Sequence, residues 1–119
     1  MSTTKIITLT DASLITCVVQ RGRADEVVKA AQEVGAVGAT IHYGHGAGMR
    51  ERLGLLGLAL EVEKEFINIV VANDEVNRVF DKIYVAAKLD TPGMGFIYVT
   101  KLDKVATFVP EELLEKLTR

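Results

Sequence analysis

Residues 44–60, GHGAGMRERLGLLGLAL, hold the most chemically suggestive pattern in this chain. Five of the ten glycines lie between Gly44 and Gly57, with Arg50 and Arg52 among them. Gly44, Gly46 and Gly48 alternate with His45 and Ala47, and closely spaced glycines let backbone N–H groups approach an anion. The two arginines would add positive charge. The stretch has neither the Gly-Lys-Ser/Thr ending of a P-loop nor the dinucleotide fingerprint. An anion site and a plain solvated connection between strands both stay open. The continuation, LGLLGLAL (53–60), has five leucines where loops usually carry polar residues. It either packs on the core or offers an apolar tip, Leu55, Leu56 and Leu58, to a partner.

The other reactive residue types are sparse. His42 and His45 are the only histidines. Two ligands alone rarely make a metal site, and no cysteine or carboxylate cluster adjoins them in sequence, so no metal site is assigned. His45, in the glycine-rich part, is the better placed of the two to touch a ligand. Cys17 lies inside the apolar run LITCVVQ (14–20), which suits a small core residue better than a reactive thiol. There is no Gly-x-Ser-x-Gly elbow and no evident acid/base pair, and the carboxylates are spread along helices. No catalytic residue is assigned. A binding or regulatory module is favoured over a hydrolase.

These residues need a scaffold. A chain of 119 residues suits one domain over 1–119, and 49% hydrophobic residues can fill a core. A net charge of −2 without a basic block argues against nucleic acid as a partner. No apolar run approaches the roughly 20 residues of a membrane helix. The N-terminus lacks the pattern of a secretory signal, and a single cysteine allows no internal disulfide, which fits the cytoplasm.

The chain repeats itself. LITCVVQ (14–20) and FINIVVA (66–72) both read as strands buried on two faces. A helical pattern follows each. In residues 24–35 the stripe is Ala24, Val27, Val28, Ala31 and Val34, with Gly35 as the stop. In residues 73–89 it is Val76, Val79, Phe80, Ile83 and Ala87, with Asn73 as the expected N-cap. Each helix leads to another strand, GATIHY (38–43) and GFIYVT (95–100). Strand–helix–strand twice predicts an α+β, ferredoxin-like fold: a four-stranded antiparallel sheet with two helices on one face. KVATFV (104–109) reads as a fifth short strand, and Pro110 opens a short C-terminal helix over 110–118.

Two helices cover one face only. Along the second run Ile67, Ile69 and Val71 point to one side, and Phe66, Asn68 and Val70 to the other. Neither set is polar enough to face water throughout. An exposed apolar sheet is rare on a soluble monomer, so a second copy of the chain is the economical cover.

The order strand, helix, VGATIHYGHGAG, long loop, KEFINIVV, helix, PGMGFIYVT resembles the P-II signal-transduction family. The resemblance spans about residues 14–109 and includes the ADEVVKAAQEVGAVGAT stretch and the AAKLDTPGMGFIYV approach to the last sheet strand. It implies a ferredoxin-like homotrimer that binds an adenine nucleotide between subunits. Such a protein regulates a partner, an enzyme or a transporter, through a flexible loop, here about 44–60. The implied ligand-binding residues are Thr40 near an adenine, Gly46 and Gly48 at the loop base, and Arg50 in place of a glutamine that touches nucleotide and 2-oxoglutarate. Lys64 at the loop's far end and Gly93 and Gly95, whose N–H groups would face phosphate, complete the set. Arg52, Leu55, Leu56 and Leu58 would form the partner-docking part of the loop.

The departures are specific. Phe96 stands where the family has a lysine after the second glycine, and Thr107 and Val109 stand where it has arginines on phosphate. Each charge-assisted contact is worth about 1.5–3 kcal/mol, so losing three favours ADP or AMP over ATP as the nucleotide. The loop is shorter than usual and has no tyrosine to uridylylate. The resemblance therefore implies a divergent member with a nitrogen-regulation type of role, whose effector is an adenine nucleotide or another small anion. Two rivals remain at this point. One is a trimeric divalent-metal-binding protein like the CutA family, supported by His42, His45 and Cys17. The other is a small ferredoxin-like isomerase or lyase.

Overall fold

The computed structural model of the chain describes residues 6–36, 38–46, 62–108 and 112. The elements are β1 (Thr8–Leu9), β2 (Ala12–Gln20), α1 (Ala24–Glu33), β3 (Thr40–Gly46), β4 (Val62–Ala72), α2 (Val76–Ala86), β5 (Gly95–Leu102) and β6 (Val105–Ala106). One 3₁₀ turn, Asn73–Glu75, leads into α2. The main sheet has the order β3-β4-β2-β5 with every neighbouring pair antiparallel. The two apolar runs found in the sequence are its two central strands. The edges are the strands that follow each helix. This is the expected split βαβ arrangement, an α+β fold with a four-stranded antiparallel sheet.

Strand alternation divides the central strands as their sequences require. Ile15, Cys17 and Val19 of β2 and Ile67, Ile69 and Val71 of β4 lie on one face. They pack against Ala24, Val27 and Ala31 of α1 and Val79, Ile83 and Ala87 at α2. Both helices therefore sit on the same side of the sheet. Burying each Ile or Val contributes about 1.5–3 kcal/mol, which makes this layer the main source of stability. Cys17 lies wholly inside it, and burial pushes its thiol up to about 12, so it is a core residue rather than a reactive one.

The helix ends follow the expected stop signals, with one exception. Gly35 takes a positive φ of 100° after α1, and the Gly35 and Ala36 N–H groups return to Gln32 and Ala31. After α2 the equivalent left-handed position is held by Lys88 with φ 56°, and the Lys88 and Leu89 N–H groups return to Val85 and Tyr84. Asn73 does not cap a helix, contrary to expectation. Its side-chain oxygen accepts a 2.5 Å bond from the Ser13 hydroxyl, and α2 starts three residues later without a side-chain cap. A β2 partner has displaced the local capping role.

Three boundaries differ from the sequence reading. The sheet reaches further into the glycine-rich stretch than expected. Gly44, His45 and Gly46 pair with Lys64, Glu63 and Val62, so they continue the β3–β4 ladder. Glycine weakens a strand but still offers both backbone groups to it. Of the expected fifth strand only Val105–Ala106 is extended, and it pairs with an unforeseen N-terminal strand, β1. Residues 47–61, with Gly48, Arg50, Arg52, Leu55, Leu56 and Leu58, lie outside the described residues. So do Val109 and the expected C-terminal helix apart from Glu112. Among the described residues no helix is long and apolar enough to cross a membrane.

Candidate functional site

The connections that precede α1, join β3 to β4 and precede β5 all leave the sheet at the same end. The first is a tight turn at Gln20–Arg23. Gly22 adopts φ 93°, and the Arg23 N–H bonds to the Gln20 carbonyl at 3.3 Å. Glu65 holds this turn from below. It is in phase with Ile67, Ile69 and Val71, so its carboxylate is drawn into the helix-covered layer and is buried. Its Oε1 accepts the N–H groups of Gly22 and Arg23, the latter at 3.1 Å. Both donors precede α1; the Gly22 N–H would otherwise lack a partner, and the Arg23 N–H is shared between Glu65 and the Gln20 carbonyl.

Arg23 extends the network. Its guanidinium donates to the Ala87 carbonyl at 3.0 Å and to Glu26 at 3.1 Å, and it reaches the Met94 sulfur at 3.7 Å. A cation at the C-terminal end of α2 also complements the helix dipole. The start of α1, the end of α2 and the turn before β5 are thus tied by one side chain.

That last turn holds Gly93 and Gly95, with φ 82° and 129°. A Cβ on Gly95 would lie 2.0 Å from the Val18 carbonyl oxygen, so only glycine permits this approach of β5 to β2. The Gly93 carbonyl accepts a 2.9 Å bond from Gln20 Nε2, and the Met94 N–H bonds to Thr91. The Gly93 N–H has no partner among the described residues. One strand further over, Arg21 pairs with Glu63, and the Arg21 N–H bonds to the Glu63 carbonyl at 3.2 Å. Beside this pair an open groove of about 310 Å³ is lined by Arg21, Tyr43, Gly44 and Glu63.

The open face of the sheet carries a second cluster. Thr16 donates to Asn68 Oδ1 at 2.9 Å, and Asn68 Nδ2 lies 3.4 Å from His42 Nδ1. The His42 ring stacks on Phe66 with centroids 4.9 Å apart. Gly44 makes room for that ring, since a Cβ there would meet Phe66 Cε1 at 2.9 Å. Cys17 faces the helix layer and His42 the opposite side, so the two cannot share a metal ion. Among the described residues no group of three or more His, Cys, Asp or Glu side chains could hold one.

The residues singled out from the sequence are only partly gathered. Gly95 pairs with Val19, Lys64 with Gln20 and Gly44, and Gly46 with Val62, so Gly93, Gly95, Lys64 and Gly46 belong to one end of the sheet. Thr40 does not join them. It opens β3 opposite Asn68, on the edge farthest from β5. Three strand spacings of about 4.8 Å put the two edges roughly 14 Å apart. Phe96 is exposed on the open face and stacks with Tyr98, and Thr107 is exposed beyond β6. The sequence reading missed Glu65, Arg23 and Gln20. A signal for Glu65 was present: a lone carboxylate in phase with three core residues must find donors or break the strand.

Comparison with known proteins places this geometry. No curated protein matches the chain. A solved structure, Arabidopsis thaliana PII bound to citrate, shares the fold with a TM-score of 0.63 at 23% identity. The match covers 79% of this chain and 77% of that one. The family model described as nitrogen regulatory protein P-II matches residues 12–112, from the start of β2 past the end of β6. On that match the chain belongs to the P-II family.

Proposed function

We propose that this protein is a small-molecule-responsive regulator. It binds a small anionic effector, an adenine nucleotide with ADP or AMP preferred over ATP, in clefts between subunits of a homotrimer. The observation that carries the reading is the glycine turn before β5. Gly95 is sterically required there, and the turn presents the Gly93 N–H, which has no partner among the described residues, at the same end of the sheet as Lys64 and Gly46. A turn of this kind offers backbone donors to an anion. Thr40, on the far edge of the same chain, reaches such a ligand only from a second copy, which favours a cleft between subunits. That the related Arabidopsis protein was solved with citrate, a small polyanion, is in keeping with an anionic effector.

Gly48, Arg50 and Arg52 belong to the segment that would respond to the effector, and Leu55, Leu56 and Leu58 would carry the contact with a regulated enzyme or transporter. Phe96 and Thr107 place no cation near a triphosphate, which is the reason for ranking ATP last. The metal-binding alternative draws no support from Cys17, which lies in the core.

Thermal shift and calorimetry with ADP, AMP, ATP, 2-oxoglutarate, bicarbonate, Cu(II) and Zn(II) test the reading. A ligand of the folded state raises the melting temperature by mass action. The expected result is a clear shift with ADP or AMP and a smaller one with ATP. Shifts with the metals alone would move the protein to the metal-binding alternative.

A further inference from the structure

The N-terminal strand β1 lies outside the family match, which begins at residue 12, yet the fold uses it. Ala12 faces Leu102 across β2 and β5, and Leu9 faces Val105 across β1 and β6. Each step is three residues along both strands, so the register is unbroken. The small sheet is the β2–β5 ladder carried on past a break at residues 10–11 and 103–104. Alternation carries through as well: Leu9 is buried and Val105 half-buried, while Thr8 and Ala106 are exposed. The paired residues end at Thr8 and Ala106; the same register carried one alternation further would set Ile6 opposite Phe108, in phase with Phe96 and Tyr98 on the helix-free face.

The ribbon therefore prolongs the uncovered face of the sheet. It ends in the exposed side chains of Ile6 (71%) and Phe108 (86%), and the sheet behind it exposes Phe96 (56%), Val70 (53%) and Tyr98 (45%). A two-stranded ribbon is marginal in water by itself. We propose that this ribbon is an arm that packs on a second copy of this chain, so that assembly depends on residues 6–9. The inference rests on the oligomer in the functional reading above.

Area selects the occupant. At about 200 Å² for an aromatic side chain and somewhat less for an aliphatic one, these five residues expose on the order of 570 Å² of apolar surface. An interface of standard size takes about 800 Å² per partner, of which roughly 450 Å² is apolar. The sheet face with the arm meets that need. Ile6 and Phe108 supply about half of the area of these five residues, so the arm carries a large share of the contact. The arm and the open face are also one continuous surface, as an interface between copies requires.

Sedimentation equilibrium over a hundredfold concentration range tests the proposal on the full chain, on a variant lacking residues 1–9, and on Ile6→Asp. Ile6 is exposed, so Ile6→Asp leaves the fold intact and guards against a truncation that fails to fold; circular dichroism checks both. The expected result is a trimeric full chain, with dissociation at least tenfold easier in both variants. A trimeric full chain with unchanged dissociation in folded Ile6→Asp would overturn the arm and leave the oligomer standing. A full chain that is monomeric throughout would overturn both.

Discussion

A Cβ on Gly95 would collide with the Val18 carbonyl, whereas at Gly93 a Cβ would meet nothing within 4 Å. The two glycines of one turn thus answer to different constraints, steric at Gly95 and conformational at Gly93. Gly95→Ala must push β5 off β2 and should cost about 3 kcal/mol or more; Gly93→Ala carries only the left-handed penalty, about 1 kcal/mol. Urea denaturation of both variants measures the difference. Glu65 gives a second pair. Glu65→Ala leaves the Gly22 N–H without an acceptor and the Arg23 N–H with the Gln20 carbonyl alone, and should cost about 2 kcal/mol, while Glu65→Gln keeps an oxygen there and should cost clearly less. Cys17 predicts a pH dependence. Burial raises its thiol from 9.0 to about 12, so the folded state holds the proton that the unfolded state releases. The stabilisation is complete below pH 9 and is lost as pH rises toward 12. Urea midpoints of Cys17→Ala and the parent between pH 8 and 11 should converge as pH rises.

At the scale of elements, the helix ends and the β3–β4 connection are open to test. Lys88 occupies a left-handed position after α2 that glycine fills at least cost. Lys88→Gly should stabilise the protein by about 1 kcal/mol, read as a higher melting temperature, unless the lysine contacts a ligand. The β3–β4 ladder closes at Gly46 opposite Val62. Replacing residues 50–58 by a short glycine bridge should therefore leave the sheet and the oligomer intact and remove binding to the regulated partner. Unfolding on that deletion would instead place the leucines of 53–60 in the core. The capping expectation at Asn73 failed for a reason visible only here: the side chain bonds to Ser13, a residue sixty positions away. Local propensity at that position yielded to a tertiary hydrogen bond.

The whole molecule poses the question of what covers the open sheet face. Phe66, Val70, Phe96 and Tyr98 lie there without a helix, and soluble monomers rarely leave such a patch bare. Light scattering at micromolar concentration should report a trimer. The same surface bears on ligand choice. Phe96 points into an aromatic cluster with Tyr98 rather than supplying charge, so calorimetry should find ATP no tighter than ADP. Micromolar or tighter ATP binding would require other cations, with Arg50, Arg52, Lys64 and Lys88 as the sources, and Phe96→Lys would then add little.

The sequence by itself determined the four strands of the main sheet, the two helices and the face that the central strands and helices bury. LITCVVQ and FINIVVA are β-rich and apolar on both sides, and the 24–35 and 73–89 stripes have helical period. Hydrophobic patterning is a local property with a global consequence, so the central strands, the covered face and the apolar open face were all legible. Gly93, Gly95 and Lys64 were singled out through a family pattern; their sharing one end of the sheet came from the strand register. Only the tertiary structure decided which connections share an end of the sheet, that Thr40 stands on the opposite edge, and that Gly95 is forced by the Val18 carbonyl. It also decided that Glu65 and Arg23 bind the turns together and that residues 8–9 extend the β2–β5 ladder. Each of these depends on strand order or on a contact between residues far apart in the chain. Periodicity along one segment carries no information about either.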